Sequence, residues 1–266
     1  MQPRIIVRPP LRFLEWEAAP AALKRMIGRL EAQFAMSCRF AQGHPPGVSK
    51  RRLAGIPWRR YAADMSHPLS SLWLQRGGGQ RRRDTRDVDD EFEAYLLACE
   101  TLMTGLIADD PKDFLLAIRR ACAVLCAQDD VQFRRAPVGL EPDTDGALVR
   151  FGDWVDVPDR LEQLFVQYRE SALPSSMKAI SAMAVLLNIH PFADGNGRCS
   201  RALFNVIAES MSGTPDSYVP LRAALEASDG GFEIRLREAE TNGNWAPLVV
   251  YFTTVFSVMS TDHGTG

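Results

Sequence analysis

The chain has 266 residues, enough for one large domain or for a core domain with an extension. Its hydrophobic fraction of 46% and charged fraction of 24% are those of ordinary globular proteins. A formal net charge of −2 gives no global reason to expect nucleic acid or a membrane as a partner. Arginine greatly outnumbers lysine, which we interpret as the codon bias of a GC-rich bacterial genome.

Cysteine usage and apolar runs bear on the location of the protein. The five cysteines contain no C-x-x-C pair, so we interpret them as free thiols in a reducing compartment. Residues 1–15 mix arginines and prolines without an apolar stretch, unlike a secretory signal peptide. The longest apolar run, residues 246–259, is too short for a membrane span and predicts a buried helix. We therefore expect a cytoplasmic protein without membrane association.

The first part of the chain begins with two regular elements. Residues 5–7 predict a short strand, and residues 21–36 predict an amphipathic helix. The apolar residues of that helix recur at helical spacing: Leu23, Ile27, Leu30 and Phe34.

From residue 39 to residue 86 the chain is basic and rich in glycine and proline. Arginines cluster at positions 51–52, 59–60 and 81–83. We interpret residues 1–87 as a partly irregular, basic N-terminal extension. The open alternative is that this basic region is a docking surface for an acidic partner or RNA. The arginine clusters lie in no recognisable nucleic-acid module, so we do not expect nucleic acid as a partner.

Helical patterns return at residue 88, and the fold class that they predict is mainly α. Asp110 and Pro111 form an N-cap followed by proline at the first helical position. Residues 134–140 and 147–151 predict two short strands around a turn at residues 141–146. Eight helices are predicted at residues 88–107, 111–128, 157–171, 175–189, 198–211, 220–227, 232–241 and 245–260.

The densest set of reactive side chains lies in residues 190–201, which include the connection between two of these helices and the start of the second helix. Pro191 disfavours helix at His190, so the apolar helix that precedes it ends there. The turn at residues 194–197 starts the next helix and directs backbone N–H groups and a positive dipole end into one small volume. The pattern therefore predicts an anion-binding turn.

Each residue type in this stretch suits a nucleotide polyphosphate. The two glycines of the turn allow the main chain to approach phosphate oxygens closely. The two arginines that follow suit bidentate phosphate contact, and the aspartate is a hard oxygen ligand for Mg²⁺ shared with phosphates. His190 is the side chain here whose unperturbed pKa allows it to take a proton at neutral pH.

The string HPFADGNGR, with a second arginine three positions later, resembles the Fic (filamentation induced by cAMP) domain signature HPFx(D/E)GNGRxxR at every defined position. So many fixed positions in one continuous run make a specific signal. The resemblance implies a role for each position: His190 as general base, Asp194 as the Mg²⁺ ligand, Gly195 and Gly197 as the anion hole, Asn196 and Arg198 on phosphates, Arg201 on the γ-phosphate, and Phe192 as an apolar anchor of the nucleotide site.

The resemblance extends more loosely over residues 88–262, which we expect to form the Fic domain. Fic domains carry a β-hairpin flap at about the distance before the histidine where residues 134–151 predict one. The break Gly243-Asn244-Trp245 followed by Pro247-Leu248 resembles the element before their last helix. The implied fold is a Fic-type helical bundle with one small β-hairpin flap, plus the N-terminal basic extension.

Proteins similar to this one transfer AMP from ATP to a hydroxyl of a target protein. The resemblance therefore implies a protein adenylyltransferase with ATP as substrate, Mg²⁺ as cofactor and a Ser, Thr or Tyr hydroxyl of a target protein as acceptor. Three alternatives stay open: transfer of another nucleotide, phosphate or phosphocholine; removal of AMP from a modified target; and a catalytically idle Fic-fold binding module.

Many proteins with this signature are restrained by a glutamate in an (S/T)xxxE(G/N) helix, which pairs with the second signature arginine. No glutamate of this chain has Ser or Thr four residues earlier. We therefore expect restraint by a separate antitoxin-like protein, or a toxin or effector delivered into another cell. A diverged helix that still supplies the glutamate, such as the one with Glu31, is the alternative.

Overall fold

The computed structural model describes residues 5–54, 88–139, 148–213, 217–228 and 230–260. These residues are mainly α-helical and contain ten helices and one two-stranded sheet. They divide into two compact units, the first made of the described residues of 1–19 and 94–207, the second of those of 20–93 and 208–266. The predicted boundary between an extension and a Fic domain at residue 88 stays a prediction.

The elements are, in chain order, β1 (Ile5–Val7), α1 (Ala21–Gln42), α2 (Pro46–Ala54), α3 (Val88–Ile107), α4 (Pro111–Cys126), β2 (Leu148–Arg150), α5 (Val157–Glu170), α6 (Ser175–Ile189), α7 (Asn196–Ser212), α8 (Leu221–Ala227), α9 (Gly231–Asn242) and α10 (Ala246–Ser260). All eight helices predicted after residue 88 are confirmed to within two residues at each end. The mainly helical fold class is confirmed with them.

In the first unit, helix α6 is buried on almost every side, because its sequence is apolar all round. Helix α5 packs on α6, and α4 packs on α5. The predicted start of α4 is confirmed: Asp110 caps it by accepting the N–H of Lys112 at 2.9 Å, with Pro111 at the first position. The helix ends at Cys126 because Ala127 takes a left-handed conformation with φ of 52°.

The sheet differs from the predicted hairpin in one respect. The predicted strand at Ile5–Val7 is confirmed, and it pairs in parallel with β2, with Ile6 opposite Val149. Gly139 and Arg150 form an antiparallel bridge, and the N–H of Phe151 donates to the carbonyl of Val138 at 3.0 Å. In the described residues the predicted strand at 134–140 is therefore not regular, and its pairing with β2 is this single bridge; the predicted turn at 141–146 lies outside them.

The segment that follows β1, up to Phe13, is bound to α5 and α6. The N–H of Leu11 donates to Oδ1 of Asn188 at 2.9 Å, and Nδ2 of Asn188 donates to the carbonyl of Pro9 at 3.1 Å. The N–H of Phe13 donates to Oε1 of Gln167 at 2.8 Å. Residues 5–13, which we call the N-terminal segment, are therefore an integral part of the first unit.

In the second unit, α1 packs along α10, with the rings of Phe34 and Phe256 5.3 Å apart. Helix α1 runs to Gln42, six residues beyond its predicted end, because the buried Cys38 and Ala41 continue its apolar face. The run at 246–259 is a buried helix, as predicted. In the part of the chain that the structure describes, no helix is long and apolar enough to cross a bilayer.

Residues 39–42 and 46–54, for which the sequence predicts no regular element, are helical. Arg52 lies in α2 with its guanidinium carbon 4.1 Å from the Phe40 ring centroid, and it donates to the carbonyl of Met259 at 2.8 Å. This arginine of the first basic cluster thus stabilises the fold of its own unit. The clusters at 59–60 and 81–83 lie outside the described residues.

Candidate active site

His190 directly follows the last residue of α6 and has a left-handed backbone conformation, with φ of 52° and ψ of 59°. Pro191 excludes continued helix at this position, and the His190 N–H still closes the last turn by donating to the carbonyl of Leu186 at 3.0 Å. A non-glycine residue with positive φ is under strain, so the surrounding contacts must hold it there. The predicted helix end at the histidine is confirmed.

The His190 imidazole lies against an aromatic ring from the segment that follows β2. The rings of His190 and Phe151 are stacked, with centroids 3.9 Å apart and planes at 16°. The guanidinium carbon of Arg8 lies 4.6 Å from the centroid of the Phe151 ring. Nδ1 of His190 is buried and has no hydrogen-bond partner among the described residues.

Burial lowers the pKa of His190 from 6.5 to about 4, and the positive charge of Arg8 contributes in the same direction. Arg134 adds a smaller effect of the same sign. The Leu187 backbone and the charge of Asp194 act in the opposite direction, although the Leu187 contact is not a hydrogen bond of normal geometry. The imidazole is therefore neutral at pH 7, the state in which it accepts a proton.

Arg134 binds the main chain around His190. Its Nε donates to the carbonyl of His190 at 2.8 Å, and its own N–H donates to the carbonyl of Pro191 at 2.8 Å. Nη2 donates to the carbonyl of Gly152 at 2.5 Å, and Nη1 donates to that of Ala136 at 3.3 Å. The guanidinium thus joins the end of α6 to two other segments: the chain just before Gly139 and the chain just after β2.

Gly195 gives the turn its shape. Its φ is +86°, and a Cβ there would lie 2.4 Å from Sγ of Cys126 and 2.9 Å from Sγ of Cys122. Both thiols are buried, and their sulfur atoms are 3.9 Å apart. The contact with Cys122 and burial raise the pKa of Cys126, so this thiol stays protonated. Only glycine fits at this position, since any side chain meets the sulfur atoms beneath it.

Asp194 lies at the rim of the turn with its carboxylate 81% exposed. Oδ1 accepts the N–H of Gly195 at 2.7 Å, and Oδ2 accepts from Nη2 of Arg198 at 3.0 Å. An exposed carboxylate next to an anion-binding turn is a donor set that suits Mg²⁺ shared with phosphates. The residues present therefore fit the metal ion that the sequence predicts at Asp194.

Two of the predicted nucleotide-binding residues are occupied in holding the loop. The Asn196 side chain accepts the N–H of Phe192 at 2.9 Å through Oδ1 and donates to the Phe192 carbonyl at 2.8 Å through Nδ2. Phe192 is fully buried, with its ring 5.6 Å from that of Phe133. Phe192 thus anchors the loop from inside the unit, and a phosphate contact of the Asn196 side chain stays a prediction.

The two signature arginines lie on the first two turns of α7, whose leading N–H groups lack intrahelical partners. Nη1 of Arg201 would lie 3.2 Å from a Cβ at position 197, so Gly197 leaves room for this guanidinium. Arg198 and Arg201 both lie near Asp194 in sequence, and the structure places Arg198 in direct contact with it. Their contacts with nucleotide phosphates stay predictions.

Sequence reasoning missed three residues of this site: Arg8, Arg134 and Phe151. Arg8 and Phe151 approach His190 only through the pairing of β1 with β2, which no local pattern indicates. Arg134 is 5% exposed, and a buried arginine has no distinctive sequence pattern. Its position at the start of the predicted hairpin was the available signal.

The comparisons with known proteins concern this same region. The family model described as Fic/DOC family matches residues 112–208. The chain is similar to the structure of a Fic family protein from Desulfovibrio desulfuricans, with 17% identity, 97% of this chain and 78% of that chain covered, and a TM-score of 0.59. It is also similar to a Fic domain containing signaling protein from Bacteroides thetaiotaomicron, with 17% identity, 88% and 94% covered, and a TM-score of 0.50. No curated protein matches the chain.

The structural likenesses, at 17% identity, concern the fold. The family match contains α4, β2, α5, α6 and the turn that leads into α7, and thus the whole of residues 190–201. Motif, fold and family match therefore converge on one stretch of the chain. Residues 112–208 of this protein therefore match the Fic/DOC family, and the chain has a Fic-type fold.

Proposed function

We propose that this protein is an adenylyltransferase that moves AMP from ATP to a Ser, Thr or Tyr hydroxyl of a target protein. Fic/DOC proteins form a family of nucleotidyl and phosphocholine transferases. The observation that carries the proposal is the juxtaposition of a neutral, half-buried imidazole with a glycine turn, a carboxylate and two arginines within residues 190–201.

His190 is the proton acceptor in the proposed reaction. The target hydroxyl oxygen attacks the α-phosphorus of ATP, an O–P bond forms, and the bond from that phosphorus to the β-phosphate oxygen breaks. The hydroxyl proton passes to the imidazole, and pyrophosphate leaves. The low pKa of His190 keeps the imidazole unprotonated before this step.

The remaining residues of the motif position and neutralise the phosphates. The turn at Gly195 and the first N–H groups of α7 offer donors to phosphate oxygens, and Arg198 and Arg201 supply charge. Asp194 would hold Mg²⁺, which when bound neutralises phosphate charge. Because the protein forms no covalent bond with the substrate here, positioning and electrostatics supply the rate.

Gly197 supports transfer of a nucleotide rather than of phosphate. Relatives that act as kinases replace the second glycine of the GNGR string with lysine. A Cβ at this position would lie 3.2 Å from Nη1 of Arg201, so any other residue would move this guanidinium by a few tenths of an ångström.

Labelling in cell lysate tests the proposal. The purified protein is incubated with α-labelled ATP, GTP or UTP, or with CDP-choline labelled in its choline, and labelled bands are identified. We expect labelling from ATP. His190→Ala should lower the rate on the order of 10²–10⁴-fold, because it removes a positioned base, and should leave ATP affinity near normal.

His44→Ala is the matched control, since His44 is an exposed histidine of the second unit that stacks on Phe40. This variant should label at the wild-type rate. Wild-type labelling by His190→Ala, or labelling from a different donor only, would contradict the proposal.

A further inference from the structure

We propose that Arg134 is a positioning residue of this site: its guanidinium holds the His190 main chain in the conformation that presents the imidazole, and fixes the chain that carries Phe151 against it. The inference deepens the proposed function and depends on it for its kinetic consequence. Arg134 lies outside the signature, and its side chain points to main-chain carbonyls rather than to the exposed turn.

The first support is the set of acceptors on the α6 side. Arg134 donates to the carbonyl oxygens of Ile189 at 3.5 Å and His190 at 2.8 Å, and its main-chain N–H donates to that of Pro191 at 2.8 Å. Three consecutive residues centred on His190 thus depend on one arginine. Since His190 has positive φ, this conformation requires such external contacts.

The second support is the set of acceptors on the other side. Nη1 donates to the carbonyl of Ala136, two residues before Val138, and Nη2 donates to that of Gly152, directly after Phe151. Val138 and Phe151 are themselves joined by a main-chain hydrogen bond. Phe151 is the ring on which His190 stacks, at 3.9 Å. One planar group therefore sets both members of the stack, which a point charge with flexible geometry does not achieve.

The third support is the energetic cost of this arrangement. Arg134 is 5% exposed, and within the described residues the hydrogen-bond acceptors of its guanidinium are all carbonyls, with no carboxylate among them. Burial lowers the pKa of Arg134, and the charge of Asp153 offsets this in part. A buried cation whose hydrogen-bond acceptors are all neutral carbonyls is an expensive way to join two segments, which supports a use of its fork geometry by the site.

The test compares Arg134→Lys with Arg134→Met in the full chain. Lysine keeps the charge but not the fork, so it separates electrostatics from geometry. We expect Arg134→Lys to lower kcat for target labelling about 10–100-fold, since a small displacement of a catalytic group has effects of this size. The KM for ATP should stay within about twofold, because the phosphate-binding turn is untouched.

A second measurement does not depend on transferase activity. The imidazole protons of His190 should show an upfield ring-current shift in NMR spectra, because the ring stacks on Phe151. They are assigned among the four histidines by their loss in His190→Gln. Both Arg134 variants should move these signals toward their random-coil positions. Arg169→Met is the matched control, since Arg169 also donates to a main-chain carbonyl, that of Ala108 at 2.9 Å, in the same unit.

The outcomes separate cleanly. Retention of both the ring-current shift and kcat in Arg134→Lys overturns the inference. Loss of ATP binding together with a large fall in the melting temperature in both variants means a purely structural role, which also overturns it. Absence of transfer in the wild type refutes the proposed function, while the NMR shifts still decide whether Arg134 positions His190.

Discussion

At His190, burial and neighbouring charge favour the same protonation state. Burial lowers its pKa from 6.5 to about 4, and Arg8 acts in the same direction. Because the folded-state pKa lies below the unfolded one, the unfolded chain takes up a proton first as the pH falls. The group therefore destabilises the fold progressively between these two values, and the loss stops below the lower one.

The pH dependence of kcat/KM should reflect this shift. The pH profile of kcat/KM reports the ionisation of groups in the free enzyme. We expect its acidic limb to lie well below pH 6.5, the ordinary pKa of histidine, and activity to be retained around pH 6.5. Arg8→Gln should move the limb upward, because it removes a positive charge that lowers the pKa. Arg12→Gln is the control, since Arg12 is an exposed arginine of the same segment. An acidic limb that stays in place in Arg8→Gln would show that Arg8 does not act on the imidazole.

Asp194 and Arg198 form an ion pair at 3.0 Å. Their predicted roles differ, and we therefore expect their substitutions to affect nucleotide binding in different ways. Asp194→Asn keeps the side-chain shape but removes the charge that would hold a hard cation, so it should weaken Mg²⁺-dependent transfer. Arg198→Ala should weaken ATP binding itself, because charge-assisted hydrogen bonds to phosphate exist in the ground state. Isothermal titration with ATP, with and without Mg²⁺, measures both. Unchanged binding in both variants would refute the phosphate-binding role of the turn.

At the scale of elements, the chain around β2 has a partner on each side. Ile6 lies opposite Val149 in the parallel sheet, and Phe151 bonds to the carbonyl of Val138 on the other side. Val138 therefore contributes its carbonyl to this pairing, and a proline there would leave that bond intact. Val149, in the middle of β2, is the better position at which to test whether residues 133–151 grip an extended target by main-chain pairing.

Val149→Pro removes one main-chain donor from β2 and should depress target labelling more than ATP binding. Val149→Thr keeps the N–H and the β-branched shape, so it should behave like the wild type. Labelling with a saturating target and ATP titration by calorimetry give the two values. Equal loss of labelling and of ATP affinity would mean that the segment supports the fold and does not grip the target.

Local sequence signals explain which elements were predictable. Helices α3 and α6 follow from periodicity, from long apolar runs and from the prolines beside them, all of which act within one segment. The pairing of β1 with β2 was not predictable, because the two strands are far apart in the chain and parallel pairing leaves no local pattern. The same reason separates the site residues: Asp194 and Gly195 are recognised in the turn itself, whereas Arg8 reaches His190 only through that pairing.

At the scale of the whole molecule, the sequence offers no glutamate in the (S/T)xxxE(G/N) pattern that restrains many Fic proteins. We therefore expect the isolated wild-type chain to label targets or itself without an activating mutation. Expression should be toxic, and His190→Ala should abolish the toxicity. Growth curves and autolabelling of the purified protein measure this.

A separate antitoxin-like protein would account for restraint in the native cell, and its removal should release activity. If the wild type is inert with ATP and Mg²⁺ and the substitution of one of its own glutamates activates it, restraint lies within the chain.

The N-terminal segment also has a consequence for biosynthesis. Residues 5–13 pair with β2 and with Asn188, so they leave the ribosome long before their partners exist. At about 5–20 residues per second, the wait is on the order of ten seconds. During that time Ile5, Leu11 and Phe13 are apolar side chains on an unfinished chain, open to chaperones and proteases. The segment can complete these contacts only after residue 188 has been made, and the contact of Arg8 with Phe151 belongs to the same set.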